Sequence, residues 1–488
     1  MRKGLLVCAM VVGLLASTGA VAQDDTKALK EEVESLRETV RALQARLDSV
    51  EANQRSAQSQ SAATTVPAPA RPPTGVPPPP AVMSVSPAQK PAIALGIEQS
   101  RLPEQQSVSD NATGASRIDN RPPPNDPELK GFIPIPGTET MIRIGGYAKL
   151  DAIYDTHDAG NREQFIPATF PIGDPNAGNA NFNMHARQTR FSFEARRPTD
   201  YGNLRFYLEN DFFGGGSDAY QFHLRQAFGQ IGNTYAGYGY SSFMDADALP
   251  DTLDFAGPGG QMFLLQPGIH QAFELSQGNS ITISAERPSS EVAVPDVDHP
   301  VTGTTRVPDV VLAGRIERAW GHVQASAVVR RLGYARDGRG DYTMAGGVAL
   351  AGALATFGDD LLMFSGAWGK GIARYLSDTS GSGLDAVVGA DGQLKALKTW
   401  GGYGAYTHYW SKNWRSSAVY GMARTAGSNL LASNAFRDSN YAAANLIWSP
   451  APTWTMGVEV LHGRLRQQDG STANDTRVQG SLQYSFVK

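Results

Sequence analysis

Residues 204–212 read Leu-Arg-Phe-Tyr-Leu-Glu-Asn-Asp-Phe. Successive side chains of an extended strand point to opposite faces. Leu204, Phe206, Leu208 and Phe212 therefore share one face, and Arg205, Tyr207, Glu209 and Asp211 share the other. The same alternation runs through the stretches before it. Phe191, Phe193 and Ala195 oppose Arg190, Ser192, Glu194 and Arg196. Ile142, Ile144, Ala148, Leu150, Ala152 and Tyr154 oppose Arg143, Lys149 and Asp151. From about Met141 such segments are about ten residues long and separated by turns and loops, the sequence sign of a transmembrane β-barrel.

A soluble sandwich also alternates, but three features favour the barrel. Glycines recur inside the strands (Gly346, Gly347, Gly401, Gly402, Gly404), where they relax a curved, sheared sheet. Trp320, Tyr406, Tyr409, Trp410, Trp414, Trp448 and Trp454 cluster near strand ends, as an interfacial girdle requires. The connections alternate in length. Tight turns fall at 197–202, 232–234, 277–280, 320–321, 358–360, 411–413 and 450–453. Between them lie long loops at 155–184, 245–260, 288–309, 377–395, 427–437 and 467–475, with shorter ones at 214–218 and 337–341. The strands between these breaks number sixteen, an even count as in closed bacterial barrels. The expected fold is therefore all-β, a sixteen-stranded antiparallel transmembrane barrel over residues 132–488. The chain ends on an alternating strand, Val478 to Phe486, with Val487 and Lys488 after the aromatic.

The residues before the barrel divide into three parts. Arg2 and Lys3, the apolar stretch Leu5 to Leu15 and the small-x-small site Ala20-Val21-Ala22 read as a secretory signal, residues 1–22. Residues 23–56 carry Leu29, Val33, Leu36, Val40, Leu43, Leu47 and Val50 at alternating spacings of four and three, a coiled-coil seam. Valine and leucine in that seam lean toward two strands. Residues 57–131 include Val76-Pro77-Pro78-Pro79-Pro80 and Arg121-Pro122-Pro123-Pro124, and read as a disordered or extended spacer.

Composition narrows the functions. The net charge is -4 over 488 residues, with no basic excess to suggest a nucleic-acid partner. The single cysteine, Cys8, lies in the signal, so the mature chain has no disulfide, thiolate metal site or cysteine nucleophile. The eight histidines show no metal-ligand spacing. Gly214-Gly215-Gly216-Ser217 lacks the lysine of a phosphate loop, and no Gly-x-Ser-x-Gly elbow occurs. No metal, cofactor or catalytic residue is expected.

The chemistry is expected on the polar face. Arginine facing lipid at the bilayer midplane costs about 2–4 kcal/mol, so alternation assigns the polar face to the lumen. Arg143, Lys149, Arg190, Arg196, Arg205, Arg225, Arg315 and Arg330 are the expected pore-lining residues. Fixed positive charge there raises the local concentration of anions. Glu194, Glu209, Asp211 and Glu317 share that face, so wall-bracing ion pairs are the competing reading of the same arginines. The loop after the fifth strand is the candidate constriction. Folded inward, it would set Asp245, Asp247, Asp251 and Asp254 across from the arginines as a transverse field; folded outward, it would be a cap or a contact loop.

Residues 132–488 resemble the DcaP-like family of trimeric porins. The resemblance is carried by His223-Leu224-Arg225-Gln226-Ala227-Phe228-Gly229-Gln230, by Tyr240-Ser241-Ser242-Phe243-Met244-Asp245 and by Ala248-Leu249-Pro250-Asp251-Thr252-Leu253-Asp254-Phe255. Gly369-Lys370-Gly371-Ile372-Ala373-Arg374-Tyr375-Leu376, Tyr406-Thr407-His408-Tyr409-Trp410, Asn445 to Pro450 and Gly457 to Arg464 extend it. It implies a homotrimer in outer-membrane lipid, passing small hydrophilic solutes, anionic dicarboxylates among them, with the coil in the periplasm. Two other functions are weighed against a channel. One is a tether from the membrane to the cell wall or a periplasmic partner through the coil; the other is a hydrolase barrel.

Overall fold

The computed structural model describes residues 131–486, apart from 217–218, 277, 294–300 and 337. The expected signal peptide, coiled coil and all but the last residue of the spacer lie outside the described residues, as do Val487 and Lys488.

Sixteen strands form the barrel. They are β1 (Met141–Asp155), β2 in two pieces (Asn181–His185 and Arg190–Arg197), β3 (Leu204–Gly214), β4 (Gln221–Ile231), β5 (Thr234–Tyr240), β6 (Leu265–Ser276), β7 (Asn279–Glu286) and β8 (Asp309–Arg318). There follow β9 (Gly321–Arg336), β10 (Arg339–Ala355), β11 (Leu361–Lys370), β12 (Lys398–Ser411), β13 (Trp414–Thr425), β14 (Phe436–Ala451), β15 (Trp454–Gln467) and β16 (Thr472–Ser485). Each pairs antiparallel with the next, and β1 closes the ring on β16, with Tyr147 opposite Ser485 and Asp155 opposite Arg477. Closure leaves no free edge, which a sheet in hydrocarbon cannot tolerate. Among the described residues no helix is long and apolar enough to cross a membrane.

The break in β2 has a local cause. Gly146 sits at φ +136, where a Cβ would lie 2.2 Å from the Arg190 carbonyl oxygen. There β1 passes from pairing with one piece of β2 to pairing with the other.

The outer face is apolar, as the alternation predicts. Val348, Trp368, Tyr420 and Val458 are each more than half exposed. Trp410, Trp414, Trp448 and Trp454 flank the tight turns after β12 and β14, and Trp414 stacks on Trp448 at 5.5 Å. The girdle thus borders the short-turn end, the periplasmic end in bacterial barrels.

The inner face departs from the uniformly polar lining expected. On β1–β4 it is charged. On β8–β15 it carries Val311, Val328, Ala349, Ala367, Ala405, Val419, Ala443 and Leu461, all buried. The reason is that the long loops fold into the barrel. Phe165 and Phe170 from the first loop join Leu461 and Tyr441 in one core, while Phe243, Met244, Ile372 and Tyr375 join Val311 and Val328 in another. These strands therefore bury one face against protein and turn the other to lipid. Their glycines also do more than relax curvature. A Cβ on Gly421 would meet the Gly259 carbonyl oxygen at 2.1 Å, and one on Gly401 would meet that of Gly260 at 2.8 Å. Their bare backbones admit a loop.

Candidate functional site: a charged wall and an inward loop

The loop after β5, residues 241–264, folds inward and follows the barrel wall. Ser326 Oγ donates to the Phe243 carbonyl at 2.7 Å, and Tyr403 Oη donates to that of Ala248 at 2.8 Å. Asn445 Nδ2 donates to the Asp251 carbonyl, and Lys149 Nζ and Gln479 Nε2 donate to that of Leu253. The contacts thus run from β9 through β12, β14 and β16 to β1. Phe255 stacks on Phe213 of β3 at 4.2 Å, and the loop then returns to cross Gly401 and Gly421. Glu459 on β15 holds the far bend. Its carboxylate accepts from the backbone N–H of Leu253 at 3.0 Å and of Asp254 at 2.9 Å, and from Asn445 Nδ2 at 2.9 Å.

The acids of this loop are all engaged. Asp245 pairs with Arg315 at 3.0 Å and faces His322 Nε2 at 2.7 Å. Asp247 pairs with Arg315 at 2.9 Å, and Asp251 accepts from Arg415 Nε at 2.5 Å. Asp254 accepts from the backbone N–H of Phe165 and Gly257 and lies 4.0 Å from Arg477. Burial pushes its carboxyl up to about 6, against the pull of Arg477. The four acids therefore do not stand across open water from an arginine wall, because a buried carboxylate needs a partner within reach. They fasten the loop.

Six of the eight expected basic residues lie together on the inner face of β1–β4. Glu194 is the hub of one cluster: Arg143 donates to it at 2.6 Å, and Arg196 and Arg205 at 2.7 Å each. Glu209 and Asp211 anchor the second. Arg225 pairs with Glu209 at 3.0 Å and Asp211 at 3.2 Å, while Tyr207 Oη donates to Glu209 at 2.8 Å. Lys149 lies 3.2 Å from Asp151. Arg190 stands apart from this pattern. Its nearest carboxylate oxygen, on Glu209, is 3.6 Å away, and none of its three guanidinium nitrogens makes a hydrogen bond. It lies over the Tyr147 ring at 5.5 Å. Six cations thus face five acids (Asp151, Asp155, Glu194, Glu209, Asp211) on this wall, and Asp155 is taken up by Arg477 of β16. Many arginines brace the wall through acids, yet the wall keeps a positive excess.

Arg315 and Arg330 lie elsewhere and hold loops. Arg315 binds the inward loop as described. Arg330 is fully buried and joins Asp309 at 2.8 Å to Asp385 at 2.9 Å, tying the loop after β11 to the wall. Sequence reasoning also missed partners. Arg477 pairs with Asp155 at 2.7 Å, on the same parity as Gln479 and Ser481, so the alternation rule reaches it. Arg374, within a loop, carries no such periodic signal.

That loop closes against the loop after β7. Val292–Ala293 pairs parallel with the strand Ala386–Val388. Beside it the Glu291 carboxylate accepts from the Gly381 N–H at 2.9 Å and lies 3.8 Å from Arg374 Nε. Burial, then Asp385, push Glu291 up to about 7, while Arg374 and Arg330 oppose the shift. An unfolded glutamate titrates near about 4.3. Between those values the docked loops hold a proton that separated loops do not, so docking is favoured as pH falls through about 7 and weakened above it. Backbone hydrogen exchange over residues 381–388, corrected for intrinsic rate, is expected to be slower at pH 5.5 than at pH 8. Glu291→Gln should remove that difference, and a pH response surviving the substitution would assign it elsewhere.

Among the described residues no group of three or more His, Cys, Asp or Glu side chains is arranged to hold a metal ion. A closed sixteen-stranded barrel with a charged inner wall and an infolded third loop is the architecture of an outer-membrane diffusion channel. A model of the porin subfamily matches residues 130–467, and the chain belongs to that family. The outer-membrane channel DcaP of Acinetobacter baumannii superposes with a TM-score of 0.64 at 21% identity, over 72% of this chain and 99% of that one. The anion-selective porin of Comamonas acidovorans gives 0.50 at 11% identity, over 71% and 100%. No curated protein sequence matches the chain. The protein is an outer-membrane porin, a channel rather than an enzyme.

Proposed function

We propose that this porin passes small hydrophilic solutes with a preference for anions, carboxylates among them, and that it works as a homotrimer. The observation that carries the preference is the inner wall of β1–β4, where six cations meet five acids, one of them neutralised by Arg477 of β16, and Arg190 makes no hydrogen bond. This buried excess acts on solutes through its field, which raises the local concentration of anions in the lumen. In this reading Arg143 reaches the lumen surface, while Lys149, Arg190, Arg196, Arg205 and Arg225 set the field from within the wall. Asp245, Asp247, Asp251 and Asp254 act by holding the inward loop that narrows it. Residues 1–22 are removed on export, residues 23–56 form a periplasmic coiled coil and residues 57–131 space it from the barrel. The named relative from Comamonas acidovorans is anion-selective, which agrees with the proposal.

The test is the reversal potential of the purified protein in a planar bilayer under a salt gradient. An anionic sign is expected, and Arg190→Gln should move it toward zero while conductance stays within about twofold, because only one fixed charge is lost. A cationic sign in the wild-type protein would overturn the preference.

A further inference from the structure

The outward face of β11–β15 carries an unusual row of cations at its long-loop end. Lys370 is the last residue of β11, and Lys398, the first of β12, stands directly opposite it. Arg424, one residue before the end of β13, stands opposite Trp400 on one side and opposite Asp438 on the other, without an ion pair to it. Arg464, near the end of β15, stands opposite Asn440. All four are exposed and share the parity of the lipid-facing side chains Trp368, Tyr420 and Val460. None has a carboxylate partner among the described residues. The acid on this face, Asp438, hydrogen-bonds Arg466 at 3.1 Å.

Like charges directly opposite across two strands destabilise a sheet. Lys370 and Lys398 therefore call for an anion between them. The surface below says which kind. From the cations toward the girdle, this face is an apolar band with no further charge to bind a free ion, and it is built to meet hydrocarbon. Phosphate above and acyl chains below is the pattern that fits both halves.

We propose that this face is a binding site for a phosphorylated lipid of the outer leaflet, with Lys370, Lys398, Arg424 and Arg464 on its phosphates and the band around Trp368 and Tyr420 against its acyl chains. The long-loop end faces outward in bacterial barrels, which sets the leaflet. The site lies outside the lumen and is independent of solute preference.

The test uses the full-length protein, delipidated in non-ionic detergent. Bis-phosphorylated lipid A, its dephosphorylated form or inorganic phosphate is added, and retained lipid is read by native mass spectrometry. A cation near an anionic lipid surface contributes about fivefold to binding. Lys370→Gln, Lys398→Gln, Arg424→Gln and Arg464→Gln together should therefore lower retention of the phosphorylated lipid by roughly six-hundredfold. Lumen conductance should be unchanged, which also reports a folded barrel. If the fourfold variant fails to fold, Lys370→Gln with Lys398→Gln should still lower retention, and Lys370→Arg with Lys398→Arg should preserve it. Equal retention by wild type and variants, or of the dephosphorylated lipid, would overturn the proposal. So would displacement of the lipid by millimolar inorganic phosphate, which would make the patch a free-phosphate site.

Discussion

Gly260→Val is expected to raise single-channel conductance severalfold in a barrel that remains folded. Gly260 sits at φ +77, and a Cβ there would lie 1.9 Å from the Met422 carbonyl oxygen and 2.8 Å from the Gly402 nitrogen. The backbone of β13 cannot retreat, because Met422 is paired to Gly402 on one side and Asn440 on the other. The loop must give way instead. Overpacking of this kind typically costs about 1–3 kcal/mol, enough to move a loop and too little to open a closed barrel. The outgoing half of the loop stays fastened by Glu459 and Asp245, so the return half, residues 256–264, is the part that moves. Conductance equal to that of the parent would mean that this loop does not set the narrowest section.

Glu194→Gln is expected to lower the stability of the barrel by on the order of 3–5 kcal/mol, the usual consequence of removing one partner from a buried ion pair. Three arginines converge on this carboxylate, and an amide cannot neutralise them. Denaturant unfolding of the protein in detergent measures the loss. The same substitution leaves the inner wall with one more uncompensated positive charge, so the reversal potential should move further in the anionic direction. A stable variant with unchanged selectivity would show that Glu194 is protonated or water-filled in the working channel and braces nothing.

The alternation rule carried the reading a long way where each strand had one polar and one apolar face. Arg190, Arg205 and Arg225 were assigned inward from parity alone, and their side chains are buried on the inner face. The rule weakened on the opposite wall. Val311 and Leu461 share the inward parity of Arg315 and Glu459, yet they are apolar there because loops cover them. Nothing local in a loop's sequence says which wall it will meet. Arg315 and Arg330 show the same limit, since their parity is right while their partners come from loops 70 and 55 positions away in the chain. The strand glycines carried a second signal, close backbone approach, which only the position of residues 259 and 260 makes readable.

The infolding of the loops also decides what this protein shows to antibodies and phage. Its longest connections would ordinarily dominate the cell surface. Here residues 243–246 and 371–379 are buried inside the barrel. What remains outside combines short hairpin tips, such as Gly215-Gly216 and Asp469-Gly470-Ser471, with exposed parts of longer loops around 173–180, 302–308 and 432–434. Sequence drift under immune or phage pressure should therefore gather at these exposed stretches, while the infolded parts of the long loops stay constrained by what they hold in place.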